Sequence, residues 1–433
     1  MIIDSFTTLM QDVGAVVTQA TKSTFEPENI QVIRLKETRG VVPWGEDNRL
    51  PDDIISYVGR NEILSANVQF NVAAIYGQGI KVFENQNGEL VESTNPKVRE
   101  FLENNDLNSY LLEQISDLVM FYNLFPEIIL DKAGKNIVLL NSKEATYSRW
   151  ETCNEKTGLI EHHLYSAEWV SGRYNEDNVT ITPVLDMRNP LRDLRVRMTT
   201  KSRDMRFIVP IHFPTPGRTY YQRPYWWSVF ESGWYDISML IPAFKKALLT
   251  NQMAIKYHIQ LHENYFDKIY ETEKITDEVK KEERKKKELE DIRDYLKGAE
   301  KAGKTMVSKV MYSPDGKEIP MMKISVIDDK AKGGEYIEDS AEVSNILSYA
   351  MGVHPNLIGS SPGKNSGTLS GTDKRELFTI KQALIKPLRD MLLRPLNLIR
   401  DFNKWPENIV FAIPDIHLTT LDKGKDAEPV VTK

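Results

Sequence analysis

NILSYAMGVHPNLIGSSPGKNSGTLSGTDKRELFTIKQALIKPLRDMLLRPLN, residues 345–397, is the stretch on which the fold turns. A helical pattern runs into it, with Ile337, Ala341, Leu347 and Met351 on one stripe of a helix predicted over 335–351. A second pattern leaves it, predicting a helix over 373–402. Pro387 and Pro395 fall inside that second pattern. Each removes an amide donor and crowds the preceding turn, so the helix is expected to be kinked or broken there. Between the two lies a loop rich in Gly and Ser, over 352–372. Gly359, Gly363, Gly367 and Gly371 give its backbone freedom, and Lys364, Asn365, Ser366, Thr368 and Ser370 are its polar, contact-making candidates.

The loop touches one enzymatic pattern and fails it. GSSPGKN approaches the phosphate-cradling G-x-x-x-x-G-K-[ST], but Ile358 stands where the first Gly belongs and Asn365 where the metal-binding hydroxyl belongs. That motif also needs a strand feeding the loop, and here a helix feeds it.

Upstream, a long helix is expected from Asp236 to Glu263, with Leu240, Phe244, Leu248, Ile255 and Ile259 on one side and Pro242 in its first turn. An almost purely charged, sign-balanced segment follows over 271–304 and reads as a solvated helix. MVSKVMY and PMMKISVI, around the turn SPDGKE, read as strands. Over 127–183 the period drops towards two, with short β-rich runs between KAGKN, NEKTG and YNEDN turns. Helices are expected over 63–76 and 96–122, with strand-like IKVF between them. Residues 1–60 read as an irregular arm. The aromatic stretch YYQRPYWWSVFESGWYD, 220–236, reads most simply as a core hinge. The fold class is therefore α+β.

Composition narrows the function. The chain has 433 residues, a formal charge of −6, 41% hydrophobic and 27% charged residues, and one cysteine. An acidic balance without clustered Lys and Arg does not suit tight, sequence-independent nucleic-acid binding. No apolar run spans a bilayer. The start lacks a signal-peptide pattern and Cys153 has no internal partner, so synthesis in a reducing cytoplasm is expected.

No catalytic, metal or cofactor site is expected. His258 and His262 share a face of the predicted helix, but Ile259 stands where a zinc-hydrolase Glu belongs. His162 and His163 point to opposite faces of a strand. Cys153 lacks a local activating group and reads as inert. GQG at 77–79 lacks the third glycine of a dinucleotide fingerprint.

The order of elements and several motifs resemble the portal proteins of tailed bacteriophages. The motifs are WGEDNRLP (44–51), YGQGIKVF (76–83), FPEIILDKAG (125–134), RPYWWSVFESGW (223–234) and, most specifically, the 345–397 block. The resemblance implies a portal fold: an N-terminal arm over 1–23, a β-rich wing over 24–235 and an outgoing stem helix over 236–263. It further implies an α/β clip over 264–334, a returning stem helix over 335–351, a tunnel loop over 352–372 and a kinked helix over 373–402. The brevity of 403–433 implies a small or absent crown, with a strand and polar tail instead, the strand returning to the wing.

The resemblance also implies a homo-oligomeric ring, in the family of twelve subunits, at one capsid vertex of the virion. Such a ring passes double-stranded DNA during packaging and ejection. It docks the terminase large subunit, then head-completion or adaptor proteins, and sits in the major capsid protein shell, made in a bacterial cytoplasm. It uses no cofactor and no membrane. The rival classes are a DNA-processing nuclease or ATPase, and another capsid or tail structural protein.

Overall fold

The computed structural model describes residues 2–4, 7–10, 15–18, 33, 35, 38–171, 176–200, 204–252, 257–297, 310–312, 318–326, 335–358 and 371–418. Helices and strands are mixed, and the chain divides into two units. One comprises Met1–Met239 with Ile337–Lys433, the other Leu240–Tyr336.

The larger unit is organised around the helix Glu62–Tyr76. Asn61 starts it, its side chain accepting the Leu64 amide at 2.9 Å and so satisfying one of the free donors of the first turn. Leu64, Ala74 and Ile75 are buried, against the helices Leu107–Phe121 and Gly371–Leu392. A single helix over 96–122 is not what forms. Asn105 is extended, with φ −130 and ψ 124, and separates Pro96–Asn104 from Leu107–Phe121. Its side chain donates to the carbonyls of Phe101 and Val138 and accepts the Leu140 amide, tying the break to a neighbouring strand. Asp106 then caps the second helix.

That neighbour, Ile137–Lys143, pairs antiparallel with Asn123–Leu130, whose other edge takes Arg206–Ile208 and Ile211–His212. A second sheet runs in the order Thr180–Pro183, His162–Tyr165, Ser148–Glu151, Val41–Val42. Aromatics knit helices to sheets. Trp44 stacks on Tyr221 at 4.3 Å and meets Phe121 edge-on at 5.7 Å. The indole N–H groups of Trp226 and Trp227 donate to the carbonyls of Val119 and Met120, which the end of the Leu107–Phe121 helix leaves free. Trp226, Trp227, Val229 and Tyr235 of the aromatic stretch therefore lie in the core, while Tyr225 is exposed.

Arg149 is fully buried, and its guanidinium donates to the carbonyls of Asn48, Thr146 and Ser148. Desolvation lowers its pKa to about 10 despite the attraction of Tyr221 and Asp52. The irregular arm expected over 1–60 is corrected at its end: Leu50–Gly59 is a helix, with Pro51 in its first turn and Ile54 and Val58 buried. Within 1–18, Ile2–Asp4, Thr7–Met10 and Ala15–Thr18 pair as antiparallel strands.

The C-terminal segment contributes the strand Ile409–Ala412, antiparallel to Lys81–Gln86, which pairs in turn with Glu89–Glu92. Before it, the chain forms two helices, Gly371–Leu392 and Arg394–Phe402. The interruption is at Leu393, and Pro395 stands in the first turn of the second helix, where no amide donor is needed. Pro387 lies inside the first.

In the smaller unit the antiparallel pair Tyr257–Leu261 and Met322–Val326 lies with the hairpin Val310–Tyr312 and Glu318–Pro320, and with the helices Tyr265–Thr272 and Glu278–Lys297. The helix expected over 236–263 is corrected. It spans Trp234–Gln252, and Tyr257–Leu261 is a strand because Ile259 pairs across to Ile324 in a β-branched match. His258 and His262 thus share no helical face. The charged segment forms Glu278–Lys297, where Arg284 bridges Glu273 and Glu288 and holds its proton more firmly than usual through those bonds.

Candidate functional site

The tunnel-loop candidates Lys364, Asn365, Ser366, Thr368 and Ser370, and the glycines 359, 363 and 367, lie outside the described residues. Gly371 is the first residue of the Gly371–Leu392 helix. What the structure describes is how the two ends of that segment are mounted.

The incoming side is the helix Glu335–Ala350 followed by Pro355–Ile358. Gly352, at φ 61, turns the chain, and the Val353 amide closes back on the Ser348 carbonyl at 2.9 Å. Leu347, Ser348, Met351 and Val353 are buried. Two asparagines of the Glu62–Tyr76 helix fasten this side. Asn67 donates to the Ser348 hydroxyl at 3.2 Å and Asn71 to the Met351 carbonyl at 3.2 Å. Both are buried, where such bonds are costly to break.

The outgoing side is fastened to the same helix. Arg389, 6% exposed, donates to the carbonyls of Ala74 at 2.8 Å and Ile75 at 2.9 Å and pairs with Asp415. A cation at the last carbonyls of a helix also complements its dipole. Gly77, at φ 54, is required at this junction, because a Cβ would stand 2.6 Å from the Pro414 carbonyl and 2.8 Å from the Arg389 guanidinium. This is what the GQG sequence does here. Gln382 and Gln78 add bonds to the carbonyls of Ile416 and Asp415.

One bond joins the two sides directly. The Lys381 ammonium donates to the Gly352 carbonyl at 2.9 Å, and burial pushes its pKa down to about 8. Sequence reading found the loop and its prolines but missed Asn67, Asn71, Lys381 and Arg389. A signal was there: asparagines four apart on the apolar face of 62–76, and an arginine on the stripe of Ile385 and Leu392.

The remaining titratable groups stand apart. His163 is buried among Phe125, Trp150 and Tyr165, and desolvation lowers it to about 3. His162 faces the other way and pairs with Glu151 at 2.8 Å. Burial raises the Cys153 thiol. Among the described residues no three His, Cys, Asp or Glu converge as a metal site, and no helix is long and apolar enough to cross a membrane.

No protein-family model matches the chain, and no curated protein matches it in sequence. Solved structures do match in fold. The chain shares its fold with chains of gene transfer agent particles. One, from the neck of the native particle computed with C12 symmetry, has a TM-score of 0.53 at 14% identity, covering 86% of this chain and 85% of that one. Another, from the neck of the empty particle computed with C6 symmetry, has 0.52 at 14%, covering 86% of each. A third, from the virion of the native particle, has 0.52 at 13%, covering 83% of each. At such identity it is a likeness of fold.

Proposed function

We propose that this chain is a phage-type portal protein, a neck component of a virion that forms a ring at one capsid vertex. Double-stranded DNA passes through the ring during packaging and ejection. The observation that carries the reading is the mounting of the 359–370 segment. Its two flanking helices are fastened by buried bonds to a single helix, Glu62–Tyr76, so a Gly- and Ser-rich stretch is presented from a rigid base. The likeness to neck chains computed with sixfold and twelvefold symmetry supports a ring.

In this reading Lys364, Asn365, Ser366, Thr368 and Ser370 touch the DNA backbone loosely, and Gly359, Gly363, Gly367 and Gly371 let the loop follow it. A formal charge of −6 suits a channel in which DNA must slide, since many strong phosphate contacts would hold it. The outer side of the Gly371–Leu392 helix exposes Ile380, Ala383, Leu384 and Pro387, an apolar stripe suited to a neighbouring copy in a head-to-tail ring. The smaller unit, Leu240–Tyr336, is the part that docks the terminase large subunit and later head-completion proteins. The larger unit faces the major capsid protein.

Negative-stain imaging of the purified chain tests the reading. Rings with a central hole are expected, with neither DNA cleavage nor ATP hydrolysis in the same preparation. A monomer, or a nuclease or ATPase activity that co-purifies with it, overturns it.

A further inference from the structure

The absence of clustered Lys and Arg expected from the charge balance is corrected at residues 188–206, which carry seven Arg or Lys against Asp193 and Asp204. Much of this stretch forms the helix Pro190–Thr199, started by the Asn189 side chain, which accepts the Arg192 amide at 3.2 Å. Leu194 is its buried residue. At about 100° per residue, Arg192, Arg195 and Thr199 fall on the side away from Leu194, and all three are exposed. Arg188, just before the cap, is exposed as well. Like charges at such spacing repel one another and weaken a helix. Helix stability does not account for the row.

An open groove of about 400 Å³ lies on this side, lined by Asn189, Arg192, Arg195, Thr199 and Thr200 with two aliphatic side chains. Among the described residues, none that lines it is acidic or aromatic. The two carboxylates within 186–200 do not line it: Asp193 holds the Arg197 guanidinium at 2.9 Å, and Asp186 accepts the Arg188 amide at 2.9 Å. The Arg195 guanidinium gives one bond to the Asp401 carbonyl at 3.0 Å and keeps its other donors. A hairpin tip adds charge beside the end of the helix. There a Cβ on Gly134 would stand 3.0 Å from the Met198 sulfur, and Lys132 and Lys135 are exposed. Asp131, in the same tip, accepts the amides of Lys135 and Asn136 at 2.9 and 3.1 Å.

The chemistry of the lining selects an occupant. Guanidinium forks with hydroxyls and an amide beside them are the donors that phosphates take. A row along a helix suits a repeating anion rather than a single one, its steps of about 4.5–6 Å following from three or four residues at 1.5 Å each. Without an aromatic to stack a base, the groove offers little to a single strand. We propose that the exposed side of Pro190–Thr199 holds the phosphate backbone of double-stranded nucleic acid through Arg188, Arg192 and Arg195, without reading its sequence. The inference goes beyond the ring reading, does not depend on it, and involves none of the residues 359–370.

Two short labelled DNA duplexes of unrelated sequence test this on the full chain by fluorescence anisotropy. Both should bind alike, with affinity falling about fortyfold between 50 and 200 mM salt, as about three phosphate contacts dictate. Arg192→Gln should weaken both equally and reduce the slope of log affinity against log salt by about 1. The position is exposed, so the variant retains the fold, and unchanged far-ultraviolet circular dichroism verifies it. Lys280→Gln with Lys286→Gln, at exposed cations of the Glu278–Lys297 helix, should leave the slope as it is, and so should shortening the 359–370 segment. No binding at the lower salt, a slope that Arg192→Gln leaves unchanged, or an equal loss in the Lys280→Gln, Lys286→Gln chain overturns the proposal. So does binding that disappears with the 359–370 segment, which would put the contact there. Capture of anionic vesicles or polyglutamate without the duplexes overturns it too, and would make the groove a site for lipid or for an acidic protein.

Discussion

Arg389 and Ile75 stand 314 residues apart and are joined by a 2.9 Å hydrogen bond from the guanidinium to the last buried carbonyl turn of the Glu62–Tyr76 helix. The same guanidinium reaches Ala74 and Asp415, so one side chain gathers a helix end, the outgoing helix of the 359–370 segment and the C-terminal strand's exit. Replacing it leaves two buried carbonyls without a donor. Arg389→Met is expected to cost about 1–3 kcal/mol, the scale for leaving buried acceptors unsatisfied. A lowered urea midpoint measures it; an unchanged midpoint would mean that water replaces the guanidinium at no cost.

Gly77 and Gly88 separate two reasons for a glycine. Both have positive φ, 54 and 96, but only Gly77 faces other atoms, while open space surrounds Gly88. Gly88→Ala should cost about 1 kcal/mol, the conformational part alone. Gly77→Ala should cost at least about 2 kcal/mol more, because its Cβ would displace the Pro414 carbonyl or the Arg389 guanidinium. Thermal unfolding of the two variants compares them, and equal losses would refute the packing argument.

Much of this was legible in the sequence. The hairpins over 127–183, the helices over 62–76 and 335–350 and the interruption near Pro395 follow from period and from proline chemistry. Other features were hidden for identifiable reasons. The split at Asn105 arises because that side chain bonds a strand more than thirty residues on, and helical periodicity carries no trace of such a bond. Tyr257–Leu261 looked helical because its apolar residues continue the preceding stripe; its register with Met322–Val326 is tertiary information. The bonds of Arg389 and Lys381 to Ala74, Ile75 and Gly352 leave no trace in the helical pattern, because they are made across the fold.

His163 predicts an acid sensitivity with a definite sign. Its folded pKa is about 3, below the ordinary 6.5, because burial penalises the charged ring. Between these values the unfolded chain binds a proton that the folded chain does not, so stability falls as pH drops from 6.5 towards 3 and is complete above 6.5. Neither ring nitrogen has a hydrogen-bond partner among the described residues, and Phe125 and Trp150 flank the ring at 5.2 and 5.7 Å. His163→Phe is therefore expected to flatten the stability profile across that window and to raise stability at pH 5. Urea midpoints at several pH values check this, and an unaltered slope would count against it.

Lys381 makes the opposite end of the pH scale informative. Its folded pKa of about 8 lies below the ordinary 10.5, so the unfolded chain holds the extra proton between those values and stability should rise with pH across that window. Lys381→Met removes the titration and the bond to Gly352 together, and its midpoint should no longer climb from pH 8 to 10. A variant that climbs like the parent would mean that another group titrates there.

Shortening the 359–370 segment should separate stability from function. Asn67 and Asn71 of the Glu62–Tyr76 helix hold its incoming side, and Arg389 ties its outgoing helix to the Ala74 and Ile75 carbonyls of that same helix, so the ends stay where they are whatever lies between them. Closing entropy varies slowly with loop length, by about 0.6 kcal/mol per doubling. Removing half of the segment should therefore shift the unfolding free energy by less than about 1 kcal/mol and, if the chain forms the proposed ring, leave ring formation intact. If the segment lines a DNA channel, packaging or retention of DNA by assembled particles should nevertheless fail. Normal packaging by the shortened chain would remove the loop from the mechanism, whereas loss of rings would show that the segment belongs to the subunit interface instead.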